Sequence, residues 1–225
     1  MKIRNLFFIL LLVFTVAATA EALYAKSENN SVEKTVGIGH FDAIEAECVN
    51  VVVNVAPSDG KCVVRTTPEL IDHVRVKVED HTLKLSLDNE YMKGKKKGRK
   101  VNPSVTVSAN TLEEIEASLA SGIVVNGNLV CIGKLELSAE TAGSIVIESL
   151  EAPELEVETE TAASVRINGG KVVAVDLNAE TASSIDCSGM AASSGRAEAG
   201  TAASIKCKVR NLTKKASTAG SVKNI

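Results

Sequence analysis

Aromatic residues are scarce in this chain of 225 residues, which has no tryptophan, two tyrosines and four phenylalanines. Three of the phenylalanines lie within residues 1–20, so the rest of the chain has only Tyr24, Phe41 and Tyr91. A globular core of this size normally uses several aromatic side chains, because each buries a large apolar area. We therefore expect a narrow core of stacked aliphatic side chains. The same scarcity, with a net charge of −3, argues against nucleic-acid binding, since aromatic rings stack on bases.

The chain also lacks an apolar run of the ~20 residues that a membrane-spanning helix needs. Its longest run, from Leu6 to Ala18, follows two basic residues and leads into small residues. This order predicts a cleaved signal peptide over residues 1–20, followed by a polar tether over residues 21–35. No cysteine lies near the cleavage point, so a lipid anchor is not expected there. These features predict an exported protein that is periplasmic, associated with the cell surface or secreted.

A block of twenty residues repeats without insertion through the last part of the chain, and each copy contains Thr-Ala-x-Ser followed by Ile or Val. The motif starts at Thr141, Thr161, Thr181 and Thr201. Within each block, apolar residues alternate with polar ones, which is the period of a β-strand. A fixed period of this kind indicates a solenoid.

Twenty residues are too few for a parallel crossover that contains a helix, which needs roughly thirty. They fit one coil of two or three short strands. Coils that stack at the inter-strand spacing of about 4.8 Å place equivalent residues in ladders. One interior ladder is expected to contain Ile147, Ile167, Cys187 and Cys207. We therefore predict an all-β fold, a single-stranded parallel β-helix of about six coils over residues 105–225.

The segment before the repeats, residues 36–104, has longer alternating strands separated by turn residues. Its apolar residues alternate from Val49 to Val55, from Val74 to Val78 and from Leu83 to Leu87. We predict antiparallel hairpins that contribute the first coils and cap the N-terminal end of the solenoid. Such a cap would protect unpaired backbone groups from edge-to-edge association.

The chain carries, in order, Phe41-Asp42-Ala43-Ile44, a valine-rich strand, a hairpin from Val74 to Leu87, Val105-x-Val107 and the repeated corners. Over residues 36–225 this order resembles the head GIN domain family of putative auto-transporter adhesins. The resemblance implies an exported β-helical protein with an adhesive function, and the family has no catalytic motif to carry over. The family's corners are often Ser-Gly-Ser-Gly, whereas this chain has Thr-Ala-Ala-Ser.

Outward positions of the first strand in each block carry many carboxylates. Glu140, Glu160 and Glu180 would stack at about 4.8 Å, which costs stability unless solvent, lysines or a cation screens the charges. Calcium prefers clustered carboxylate oxygens, so these three residues are candidate metal ligands, and calcium is the one cofactor considered. The alternative is a solvated charged face that keeps the sheet from aggregating, since the glycine-aspartate repeat of calcium-binding β-helices is absent.

Two further sets of residues are candidates for ligand binding. Ser144, Ser164, Ser184 and Ser204 could present a regular row of hydroxyls to a glycan or an ordered lattice. The same hydroxyls could instead satisfy backbone groups at the coil corners.

The second set lies in a basic segment that contains glycines. Lys95, Lys96, Lys97 and Arg99 could dock on phosphate, anionic lipid or acidic polysaccharide. A solvated loop is the alternative interpretation.

Five cysteines in an exported chain leave at least one unpaired. Cys187 and Cys207 fall at interior positions of adjacent coils, where they would be packed thiols or, because the ladder spacing permits it, a disulfide. Cys48, Cys62 and Cys131 do not have the spacing of a zinc site.

Catalysis is not expected from this pattern. Polysaccharide lyases and hydrolases gather acid and base groups in a cleft, whereas His40, His73 and His81 all precede the repeats and the carboxylates recur along ladders. The sequence predicts a non-catalytic adhesin-like or structural surface protein that binds a glycan or protein ligand. A calcium-assisted carbohydrate-binding module is the first alternative, and a polysaccharide-active enzyme is the second and less favoured one. Oligomers could form through an end or a face of the solenoid.

Overall fold

The computed structural model describes residues 31–88, residue 91 and residues 102–225. The signal peptide predicted over residues 1–20, most of the tether and the basic segment with Lys95, Lys96, Lys97 and Arg99 lie outside the described residues. None of the helices in the described part of the chain is long and apolar enough to cross a bilayer.

The described residues form eighteen strands and a short 3-10 helix, Ile71–His73. The strands before the repeats are β1 (Val32–Gly37), β2 (Ala43–Glu47), β3 (Asn50–Val55), β4 (Lys61–Thr66), β5 (Val74–Glu79), β6 (Thr82–Leu87) and β7 (Ser104–Ala109). The strands that follow are β8 (Glu114–Ser118), β9 (Gly122–Val130), β10 (Lys134–Ala139), β11 (Ser144–Thr159), β12 (Ser164–Ile167), β13 (Gly170–Ala179), β14 (Ser184–Asp186), β15 (Ala191–Ala199), β16 (Ser204–Cys207), β17 (Val209–Ala216) and β18 (Ser221–Asn224).

From β8 onward the chain winds as a parallel solenoid, as the repeat predicts. Leu155 lies between Leu135 and Val175 in neighbouring coils, and Ile185 lies between Val165 and Ile205. Equivalent residues twenty apart are therefore direct neighbours, and the solenoid has about six turns. The predicted fold class is confirmed.

Each full coil has three faces. The first face contains β8, β10 and the later parts of β11, β13, β15 and β17. The second contains β12, β14, β16, β18 and the early parts of β9 and β11. The third is short and includes Leu129, Leu150 and Gly170. Gly170 has a φ of +110°, and an added Cβ would lie 2.0 Å from the carbonyl oxygen of Leu150, so glycine alone fits this close approach between coils.

Antiparallel pairs cap the N-terminal end. Strands β5 and β6 form a hairpin, while β4 pairs antiparallel with both β1 and β7. The hairpin predicted in this region is therefore present. Residues 32–35, which the sequence assigns to the tether, are part of β1 and pair with β4.

The stacking order near the cap differs from the chain order. Strand β2 lies between β6 and β8, and β3 lies between β7 and β9. The first coil in the sequence is thus the second coil in space, and the coil formed by β6 and β7 covers its outer edge. After β3 the chain leaves the solenoid and forms the cap, and it re-enters the stack of coils at β8.

Aliphatic ladders fill the interior. Ile147, Ile167, Cys187 and Cys207 have relative exposures of 0 to 1%, as predicted for one interior ladder. Burying each large aliphatic side chain contributes about 1.5–3 kcal/mol, and repetition along the axis replaces the aromatic anchors of a globular core.

All five cysteines are buried and unpaired. Burial raises the pKa of Cys131 to about 11, and burial likewise raises the pKa of Cys187 and Cys207. Cys131, Cys187 and Cys207 are therefore neutral packing groups at physiological pH, and they lack the thiolate that makes a cysteine reactive.

Candidate functional site

The coil corners are closed by backbone hydrogen bonds. Thr161 and Ala162 have positive φ angles of 47° and 62°, and both side chains are exposed. The Ala162 N–H donates to the Thr181 carbonyl of the next coil at 3.1 Å, and the Ala163 N–H donates to the Glu160 carbonyl at 3.3 Å. Equivalent bonds link the corners at Ala120, Ala142, Ala182 and Ala202 to the coil that follows each of them.

Next to these corners, serine hydroxyls form a ladder along the second face, which we call the serine ladder. It consists of Ser144, Ser164, Ser184, Ser204 and Ser221, which lie directly beside one another in successive coils. The first four are half-buried and Ser221 is exposed. Since the neighbouring residues Ile145 and Val165 point into the core, the serine side chains point outward.

The hydroxyls of the serine ladder make no hydrogen bond within the part of the chain that the structure describes. Buried hydroxyls that do bind the backbone occur one position earlier in the block. Ser121 Oγ donates to the Ala46 carbonyl at 2.8 Å, and Ser183 Oγ donates to the Thr159 carbonyl at 3.0 Å. The interpretation that the ladder satisfies corner backbone groups is therefore wrong, because those groups already bind one another. A role of the ladder in ligand binding stays a prediction.

Charged side chains flank the serine ladder two residues further along β12, β14 and β16. Arg166, Asp186 and Lys206 are adjacent in register, so a carboxylate lies between two cations. A hydrogen bond from Ser188 lowers the pKa of Asp186, and the nearby charges of Lys206 and Arg166 lower it further. We call the outward side of this strand face, with its hydroxyls and its paired charges, the serine face.

The first face carries most of the carboxylates and is called the acidic face. One of its ladders contains Glu114, Glu136, Glu156, Asp176 and Arg196, and the next contains Glu116, Ser138, Glu158, Asn178 and Glu198. Several of its cations contact neighbouring carboxylates. Lys134 Nζ lies 2.8 Å from Glu136 Oε1 and also contacts Glu156, and Arg196 pairs with Glu198.

The pKa values of several carboxyl groups on the acidic face are shifted by their surroundings. Partial burial raises the pKa of Glu158, and the nearby charges of Glu156, Glu160, Glu180 and Asp176 raise it further. Burial and neighbouring glutamates also raise the pKa of Glu116. The pKa of Glu198 is instead lowered by its hydrogen bond from Arg196. The face is therefore electrostatically crowded at its centre and neutralised towards its last coils.

The structure stacks Glu140, Glu160 and Glu180 at exposed corner positions, where the backbone N–H groups of Glu160 and Glu180 bind the carbonyls of Ala139 and Thr159. Their carboxylates do not gather. Among the described residues, one group of three candidate ligands has all its donor atoms within 4.8 Å of one another, and it consists of His40, Asp42 and His81. The sequence places both histidines before the repeats without indicating that they meet.

A family model described as "Putative auto-transporter adhesin, head GIN domain" matches residues 40–225, which include every strand from β2 to β18. The chain belongs to this head GIN domain family. No curated protein matches it.

Solved structures share the head GIN fold. A crystal structure of a putative adhesin from Bacteroides fragilis NCTC 9343 is 20% identical, covers 87% of this chain and 97% of its own, and superposes with a TM-score of 0.73. A putative adhesin from Parabacteroides merdae ATCC 43184 is 16% identical, with coverages of 87% and 96% and a TM-score of 0.61. A putative lipid binding protein from Parabacteroides distasonis ATCC 8503 is 14% identical, with coverages of 87% and 97% and a TM-score of 0.60. At these identities the likeness shows the fold alone.

Proposed function

We propose that this head GIN protein is an exported, non-catalytic adhesin-like surface protein that binds a glycan or protein ligand along its serine face. The observation that carries the proposal is the serine ladder, whose partly exposed hydroxyls make no hydrogen bond within the described chain. The adhesin name of the family supports the surface role, and the signal peptide predicted over residues 1–20 supports export.

A repeating ligand suits a repeating surface. The serine ladder offers a donor and an acceptor at each coil, at a spacing of about 4.8 Å along the axis. One exposed hydrogen bond contributes only about 0.5–1.5 kcal/mol net, so useful affinity requires several coils in contact with one ligand. An extended polymer that lies along the axis, or an extended peptide, can make such contacts.

Charge favours the serine face over the acidic face as the contact surface. Arg166, Asp186 and Lys206 alternate in sign, so they can pair with either charge on a ligand. The acidic face instead repels acidic polymers, because Glu136, Glu156 and Asp176 stack there in successive coils. We interpret the acidic face as a solvated surface that discourages sheet-to-sheet association.

Calcium provides the alternative function, a carbohydrate-binding module in which Glu140, Glu160 and Glu180 hold the ion. A ligand that binds only the folded state raises the melting temperature with its concentration. Calcium in the millimolar range should therefore leave the melting temperature unchanged if the acidic face is only solvated. A saturable increase that disappears in Glu160→Gln would favour the calcium alternative.

The direct experiment is a glycan and matrix-protein array probed with the chain from Glu21 onward. The test variant combines Ser164→Ala, Ser184→Ala and Ser204→Ala. Its matched control combines Ser138→Ala, Asn178→Ala and Ser194→Ala, which remove three polar groups from the acidic face. We expect the test variant to lose binding to the array ligand and the control to retain it.

A third variant separates the basic segment from the serine face. Changing Lys95, Lys96, Lys97 and Arg99 to serine removes four positive charges and no apolar side chain. If binding falls steeply with salt and is lost in this variant alone, the ligand is an anionic polymer held by the basic segment, and the serine-face proposal is wrong. Equal binding by this variant and the parent across ionic strengths supports the serine face.

A further inference from the structure

Three side chains converge on the surface of the N-terminal cap, far along the chain from the repeats. Each of His40, Asp42 and His81 offers a ligand atom, and these atoms all lie within 4.8 Å of one another. Nδ1 of His81 lies 3.4 Å from Oδ2 of Asp42. The two imidazole rings pack edge to face, with centroids 5.9 Å apart and an interplanar angle of 79°.

The backbone fixes this arrangement from both sides. Asp80 and His81 form the turn of the hairpin between β5 and β6, with positive φ angles of 47° and 65°. The carbonyl of His81 accepts hydrogen bonds from the backbone N–H groups of Asp42 at 3.0 Å and Ala43 at 3.3 Å. The turn that carries His81 is therefore tied to the segment that carries Asp42.

A buried side chain lies between the other two candidate ligands. Phe41 lies between His40 and Asp42 and is only 4% exposed. His40 before it is exposed and Asp42 after it is half-buried, and the ligand atoms of both lie within 4.8 Å of that of His81. The three donors are thus held together by main-chain bonds and core packing.

From this geometry we infer that His40, Asp42 and His81 form a binding site for a divalent transition metal of the zinc class. Two imidazoles and one carboxylate are a donor set that zinc takes, with bonds of about 2.0–2.2 Å. Tetrahedral bonds of that length separate neighbouring donors by roughly 3.4 Å, and the His81 nitrogen and Asp42 oxygen are 3.4 Å apart. Three protein ligands leave one coordination position for water or an external donor.

The donor set also selects among metals. Calcium prefers six to eight oxygen ligands, and this site supplies two nitrogens and one carboxylate. The site therefore differs in both place and chemistry from the calcium alternative on the acidic face. Its accessibility is high, since the His81 side chain is 70% exposed, so metal exchange with solvent needs no opening of the fold.

Zinc binding to the untagged chain, measured by isothermal titration calorimetry, tests the site. We expect one zinc ion per chain in the parent and a loss of affinity of about 10-fold or more in His40→Ala, Asp42→Asn and His81→Ala. The matched control is His73→Ala, which removes the remaining histidine of the chain. His73 is not part of the group of three ligands and instead contacts Asp88 at 3.1 Å. Its replacement should therefore leave the affinity for zinc unchanged.

A parent chain that shows no saturable binding of zinc would overturn the inference. Parental affinity in His40→Ala and His81→Ala would also overturn it, because the zinc would then lie on other groups such as the thiols. Circular dichroism of each variant controls for folding, and Asp42→Asn, which keeps the size of the side chain, decides the matter if a histidine variant unfolds. Cobalt(II) gives a second readout, since a tetrahedral site produces visible absorption that zinc abolishes.

Discussion

At the scale of single residues, the outward-facing side chains determine the chemistry of the solenoid surface, and the inward-facing side chains determine the register of its strands. Ile167 and Ser164 belong to the same short strand, yet one is 1% exposed and the other points outward. Two residues of one strand thus have different roles, because Ile167 packs in the core and Ser164 exposes its hydroxyl. The acidic face repeats this division with carboxylates in place of hydroxyls.

Glu158 allows a test of the electrostatic account. Partial burial and neighbouring carboxylates raise its pKa in the folded protein above the unfolded value. The stability linked to such a group is fully present below the unfolded pKa and is lost as pH rises through the folded pKa. Glu158→Gln should therefore raise the free energy of unfolding at about pH 7, and this gain should vanish near pH 4.

The matched control is Glu198→Gln, because a hydrogen bond from Arg196 lowers the pKa of Glu198. Its stabilising contribution is present above the unfolded pKa, so this substitution should lower stability at neutral pH. Urea denaturation at both pH values measures the two differences from the parent. Effects of the same sign for the two variants at neutral pH would contradict the account.

At the scale of strands and corners, left-handed backbone recurs without glycine. Ala162 has a φ of 62° and an exposed side chain, and a non-glycine residue in this conformation costs about 1–2 kcal/mol. Glycine removes that cost but loses about 0.5–1 kcal/mol through its freer unfolded chain. Ala162→Gly should therefore stabilise the protein by about 0.5–1 kcal/mol in thermal or chemical unfolding.

Ala163 provides the matched control one residue later. Its methyl group is buried, with 2% exposure, and its backbone is not left-handed. Ala163→Gly should destabilise the protein by about 1 kcal/mol, since it loses buried area and gains unfolded-state entropy. If both substitutions destabilise alike, corner strain is not a feature of this solenoid.

The strands and their register could be predicted from the sequence wherever the twenty-residue block repeats. The twenty-residue period alone sets Leu135 beside Leu155 and Ser164 beside Ser184, because a ladder allows no other register. The stacking order of the cap was not predictable in this way. The alternating valines of β3 are compatible with any interior coil of the solenoid. Only the pairing of β3 with both β7 and β9 shows that β3 belongs to the second coil in space.

The same limit applies to the candidate sites. The serine ladder follows from the repeat, but its lack of protein partners depends on backbone bonds that the corner makes for itself. His81 meets His40 and Asp42 only because β6 pairs with β2. A contact between segments about forty residues apart has no periodic signal in the sequence.

At the scale of the whole molecule, the solenoid is a stack whose length sets the size of its binding surface. Each coil contacts mainly its two neighbours, so stability is approximately a sum of coil and interface contributions. Removing one complete block should therefore shorten the molecule without changing its fold. The affinity for a ligand that binds along the serine ladder should fall when a block is removed, whereas the affinity for a ligand that binds at the cap or the basic segment should not change.

The measurement that tests this account most directly is the affinity of a variant that lacks residues 184–203, one complete coil, for the ligand identified on the array. A half-coil deletion of residues 184–193 is the control, and it should fail to fold because it breaks the register. We predict that the full-coil deletion keeps cooperative unfolding and the parental β-sheet spectrum, and that it binds the ligand more weakly. Unchanged affinity in a folded full-coil deletion would contradict binding along the serine face.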